Sequence, residues 1–127
     1  MILRTLALAA ACALAGPALA ATPEGVWLTP PDGKGQTAHI TAQRCGAAWC
    51  GTITAAFDAG GRQITTPNVG KRVFWDMVPG GAGFAGRAWV PAHGRSYQAE
   101  MRPAGRSMVV RGCLGPVCQS QTWRKVR

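Results

Sequence analysis

The sequence predicts an all-β domain, an eight-stranded antiparallel up-and-down barrel, and three observations carry that prediction. From Glu24 onward, short β-prone runs alternate with turn clusters rich in Gly, Pro and Asp, and no stretch sustains a helical period. Eight such runs divide the 107 residues after position 20 into units of about 13, a comfortable length for one strand and its turn. Two C-x4-C spacings, Cys45 to Cys50 and Cys113 to Cys118, fall where consecutive runs reverse. A meander of that size closes naturally, and closure removes the exposed edges that an open sheet must protect. A two-sheet β-sandwich is the alternative.

The segment 1–20 reads as a secretory signal. A single charge at Arg4 precedes an apolar run from Leu6 to Ala15, followed by Gly16-Pro17 and then Ala18-Leu19-Ala20 as a cleavage site. The apolar run is shorter than the roughly 20 residues of a membrane span. A lipidated Cys12 is the weaker alternative, since Ala9 stands where a large aliphatic residue is usual. The chain has 14 Lys+Arg, 5 Asp+Glu and five cysteines, so losing Arg4 and Cys12 leaves 13 basic against 5 acidic residues, a charge of +8, and four cysteines. One domain with one modest core is expected at residues 21–127, in the periplasm or secreted.

Four cysteines in an oxidising compartment allow three connectivities. The local pairs Cys45–Cys50 and Cys113–Cys118 are the most economical, each stapling a hairpin end for about 2 kcal/mol; crossed pairings stay open. A four-thiolate zinc site is the sharper alternative, but structural zinc favours tighter spacing and export disfavours it.

The first run, Glu24 to Leu28, stops at Pro30-Pro31-Asp32-Gly33, where prolines withhold ladder donors and Asp-Gly favours a turn. Thr37 to Arg44 alternates, with Ala38, Ile40 and Ala42 on one face and His39, Thr41 and Gln43 on the other. Gly51 to Phe57 alternates again, placing Ile53, Ala55 and Phe57 together. Residues 58–70 read as a long loop. Four further runs follow, Arg72 to Val78, Phe84 to Pro91, Arg95 to Arg102 and Arg106 to Gly112, with a closing strand after Cys118.

Gly25-x-Trp27 on the first strand with Arg124 on the last resembles the lipocalin and calycin signature. More of the chain resembles the exported bacterial family called domain of unknown function 2147: Gly25-Val-Trp-Leu-Thr-Pro, Cys45 to Gly51, Asn68 before Arg72, Gly86 to Pro91, Gly94-Arg-Ser-Tyr97, and Arg111-Gly-Cys113 to Gln121-Thr-Trp-Arg124. The chain departs from that pattern at Trp75-Asp76-Met77-Val78, where a Gly-centred segment is more usual. The resemblance implies a lipocalin-like barrel in an exported protein, closed by Gly25, Trp27, Trp123 and Arg124, with the Arg124 guanidinium over Trp27. It supplies no activity.

The residues themselves argue against an enzyme. His39 and His93 have no carboxylate or thiol at ligand spacing and read as surface or turn residues. Asp58 and Asp76 form no pair for acid–base work, and no nucleophile or phosphate-binding motif is present. No cofactor or metal is implied. Of five tryptophans, Trp27 and Trp123 read as a terminal-strand seal and Trp49, in the cysteine turn, as exposed. Trp75 and Trp89, with Phe57 and Tyr97, are the candidates for a small hydrophobic molecule in the barrel, against the alternative that a barrel of eight strands is filled by its own side chains. Arg72, Arg87, Arg95 and Arg111 head a basic set suited to anionic envelope lipids or polymers. The alternatives are a merely solvated basic surface and a structural or protein-interaction role. Export disfavours nucleic acid, and inhibition of a cationic lysozyme ranks last because like charges repel.

Overall fold

Alternation of apolar and polar side chains organises residues 21–127, the part of the chain that the computed structural model describes. Residues 1–20, expected from the sequence to be a secretory signal and containing Arg4 and Cys12, lie outside the described residues. The strands are β1 (Gly25–Leu28), β2 (Thr37–Cys45), β3 (Ala48–Phe57), β4 (Gln63–Ile64), β5 (Arg72–Gly80), β6 (Gly83–Val90), β7 (Arg95–Ala104), β8 (Ser107–Leu114) and β9 (Val117–Lys125). Each main strand pairs antiparallel with its sequence neighbour, β3 passing directly to β5. Pairing of β1 with both β2 and β9 then closes an eight-stranded barrel. β4 only extends the far end of β3, so residues 58–70 are less structureless than the sequence suggests.

The core is the inner wall. Trp27, Phe74, Met77, Met101 and Met108 are at most 1% exposed, and Ile40, Ile53 and Trp123 pack with them. Trp49 is also buried, contrary to the exposure expected of a turn residue, because β3 starts at Ala48 and takes it into the ladder. The guanidinium of Arg44 covers its ring at 4.6 Å.

Two bulges set which residues face inward. In β3, His39 pairs with Ala55 and Ile40 with Ile53, leaving Thr54 as an extra residue. The strand changes phase there. Ile53 and Ala56 point into the core, while Phe57 turns to the outer wall and lies 4.7 Å from His39, ring to ring. The expected grouping of Ile53, Ala55 and Phe57 on one face is therefore split. In β5, Trp75 pairs with Arg87 and Val78 with Ala85, so Asp76 and Met77 stand opposite Gly86 alone. Asp76 adopts φ 55°, and a Cβ on Gly86 would sit 2.6 Å from the Trp75 carbonyl oxygen, so glycine is required there. Phe74 and Met77 both turn inward as a result, and Trp75 is left on the outer wall.

Closure also differs from expectation in one residue. On β9 the inward phase runs through Trp123 and Lys125, and Trp27 pairs with Lys125. The cation over the Trp27 ring is the Lys125 ammonium, at 5.6 Å, whereas Arg124 falls on the opposite phase and is exposed. The Trp27 indole N–H donates to the Pro23 carbonyl at 2.8 Å. The local disulfides Cys45–Cys50 and Cys113–Cys118 join hairpin ends as the spacing indicates, one at each end of the barrel.

Candidate functional site at the barrel mouth

The two ends of the barrel are filled differently. One end carries the β2–β3, β5–β6 and β7–β8 turns and is packed with Trp27, Trp49, Met77, Phe84, Met101 and Met108. At the other end, ringed by residues 29–36, 58–71, 91–94 and 115–116, the inward positions hold small side chains: Ala38, Ala56, Ala88, Ala99 and Gly112. Small residues at inward positions leave space. Two adjoining cavities of about 280 and 270 Å³ occupy this mouth, sharing Ala88, Val90, Val110 and Gln121 as common wall. Each exceeds the roughly 150 Å³ of an engineered apolar cavity that takes up benzene. The floor of the larger is Phe74 and Trp123, ring centroids 6.2 Å apart, with Ile40 and Ile53.

Of the four expected ligand residues, the mouth gathers two. Trp89 lines the larger cavity, with the Lys71 ammonium 5.2 Å above its ring. Tyr97 lines the smaller one, its hydroxyl 2.9 Å from Nδ1 of His93 in the β6–β7 turn. Phe57 and Trp75 line neither, because the two bulges place them outside. Sequence reading missed Ala88, Val110 and Gln121. The signal was available in Met108-x-Val110-x-Gly112 and Gln119-x-Gln121-x-Trp123, inward alternations that tryptophan counting overlooked.

Polar side chains line the larger cavity from the loops, among them Thr29, Asp32, Gln36, Thr66 and Asn68, and Gln121 joins them from β9. The Trp123 indole N–H donates to Oε1 of Gln121 at 2.8 Å. An indole nitrogen can only donate, so the amide oxygen faces Trp123 and the NH2 of Gln121 is turned away from it. Asp32 and Asp58 are occupied by their own loops: each accepts two backbone N–H groups at 2.8–2.9 Å, from Lys34 and Gln36 and from Gly60 and Arg62. Their carboxylates are turn-formers. Among the described residues no three His, Cys, Asp or Glu side chains gather as a metal site.

The arginines expected to bind anions do not converge. Arg72 pairs with Thr52, Arg87 with Gln98 and Arg111 with Ser120 and Glu100, spreading the three around the wall, while Arg95 begins β7 at the mouth. Arg87 donates to the Ser96 hydroxyl at 3.1 Å. The one ion pair among the described residues is Glu100–Arg102, at 3.6 Å on the surface.

The architecture has a counterpart among solved structures. A Helicobacter pylori protein, HP1028, described as belonging to the lipocalin family, superposes with a TM-score of 0.64 over 82% of each chain, at 11% identity. That likeness is one of fold. No functionally curated protein matches the chain by sequence. The family model of an uncharacterized protein conserved in bacteria, DUF2147, matches residues 25–125, the whole barrel from the first residue of β1 to the last of β9, and the chain belongs to that family.

Proposed function

We propose that the mouth binds a small apolar or amphipathic molecule and does not transform it. The observation that carries this reading is the contrast in filling: inward alanines and Gly112 surround an apolar floor at one end of an otherwise packed barrel. Pockets for small molecules are concave, largely apolar and furnished with a few polar groups. Trp89 supplies a flat wall, and the Gln121 NH2 and the Tyr97–His93 pair supply polar contacts for one end of a ligand. The protein works outside the cytoplasm after cleavage near Ala20. Two local disulfides support that compartment, since such bonds persist where the surroundings are oxidising.

Titration with the neutral probe N-phenylnaphthylamine tests the reading. Bound probe should brighten, with an affinity unchanged as salt is raised to about 0.15 M. Ala88→Leu, which fills the wall common to both cavities, should weaken binding about tenfold or more while the fold is retained. Absence of probe binding, or unchanged affinity in Ala88→Leu, would sink it.

A second reading, attachment to an anionic envelope component, is favoured by the surplus of unneutralised cations. Only Arg102 has a carboxylate partner among the described residues.

A further inference from the structure

Five large hydrophobic side chains are exposed among the described residues, and the two most exposed face each other on one hairpin: Leu114 at 54% and Val117 at 67%. The hairpin tip is rigid. Gly115 at φ 59° and Pro116 make its turn, and the Cys113–Cys118 disulfide ties the strands immediately behind it. Leu114 and Val117 also line the smaller cavity, so the exposed apolar surface runs into the mouth. A third exposed aliphatic, Val69, lies in the segment leading into β5, at the same end.

The same rim is basic. Lys34, Lys71, Arg72 and Arg95 stand exposed in the loops and strand starts that surround it, and the rim's carboxylates, Asp32 and Asp58, are held by backbone amides of their own turns. Apolar side chains on a stiff tip, flanked by cations, match the interface of an anionic bilayer. Aliphatic groups enter the headgroup boundary there while Lys and Arg meet lipid phosphates. A tip already fixed by a disulfide and a proline loses little freedom on docking.

We infer that the mouth rim docks on an anionic phospholipid surface, with Leu114 and Val117 inserted and Lys34, Lys71, Arg72 and Arg95 at headgroup level. The inference rests on the basic-surface reading for its electrostatic part, and adds the face and the apolar contact. In this orientation the cavity opens toward the lipid, so an apolar molecule passes between bilayer and barrel without crossing water.

Co-flotation with vesicles tests it. Full-length mature protein should float with vesicles of equal parts phosphatidylglycerol and phosphatidylcholine and stay behind with pure phosphatidylcholine. Added salt should weaken the binding. The double variant Leu114→Ser/Val117→Ser, which leaves the disulfide intact, should lower the partition coefficient about tenfold or more. Val109→Ser, an exposed aliphatic in mid-β8, should float as the parent does. If the double variant floats like the parent, docking by this rim is overturned although attraction to anionic surfaces survives. Failure of the parent to float at low salt overturns both, and equal flotation with phosphatidylcholine overturns the electrostatic part and with it the inference.

Discussion

The packed end and the mouth are built from the same eight strands, with the same alternation and the same antiparallel ladders, and differ only in what stands at the inward positions. At the packed end these are Trp27, Met77, Met101 and Met108, each without exposed surface. At the mouth they are alanine, glycine, valine and glutamine. A barrel of eight strands is just wide enough for its own side chains to fill, so residue size alone decides whether it is solid or hollow. The difference teaches that packing and open space are assigned to opposite ends: one supplies buried area, and the other gives it up for the binding proposed above.

Truncation at each end gives the largest expected contrast. Met101→Ala should cost about 2–5 kcal/mol of unfolding free energy, because it opens a cavity among side chains that cannot collapse into it. Val110→Ala removes less volume beside a space that is already open, and should cost about 1 kcal/mol or less. Denaturant unfolding of both variants, with matched slopes, measures the gap. Equal costs would mean that the mouth is as well packed as the other end.

The two disulfides offer a second, smaller contrast, since nature has placed one at each end. Both join cysteines five residues apart, so the chain-entropy contribution is about 2 kcal/mol for each. Cys50 is 1% exposed, whereas both cysteines of the other pair are partly exposed. Replacing Cys45 and Cys50 by alanine should therefore cost about 1 kcal/mol more than replacing Cys113 and Cys118, the excess being lost packing. Identical losses would show that both bridges act through the unfolded chain alone.

The barrel was legible in the sequence because its determinants are local. Turn residues mark the reversals, alternation marks the strands, and the even cysteines mark two hairpin ends. The site was only half legible. Trp89 and Tyr97 stand at the mouth, but Phe57 and Trp75 do not, and both misplacements have one cause: a bulge adds a residue and reverses the phase beyond it. Thr54 carries no local mark of a bulge. Gly86, opposite Asp76 and Met77, does carry one, since an isolated glycine in a strand signals close backbone approach. Arg124 failed for a related reason, being one position out of phase with the residue that covers Trp27. The cavity itself was hidden because attention to large aromatics looks for what lines a space, whereas small residues are what create it.

The smallest expected effect belongs to His39, on the outer wall of the mouth half, and it tests the phase reversal directly. Burial against its neighbours, chiefly, and then the positive charge of Arg127 hold its pKa below the ordinary value of 6.5. With the folded value depressed, the unfolded chain binds the proton more readily. The contribution is fully present above about pH 6.5 and is lost as pH falls through the folded pKa, so stability should decline gently over that interval. The effect is modest because the imidazole is only partly buried and its interaction with Arg127 is screened by solvent. One ring neighbour that covers it is Phe57, which reaches His39 only because the β3 bulge turns it outward. Phe57→Ala should accordingly move the His39 pKa upward toward 6.5 in an NMR titration and flatten the acid slope of the melting temperature. It should leave probe binding at the mouth untouched. If instead Phe57→Ala weakens the probe and leaves His39 unmoved, Phe57 belongs inside the barrel and the bulge at Thr54 is misplaced.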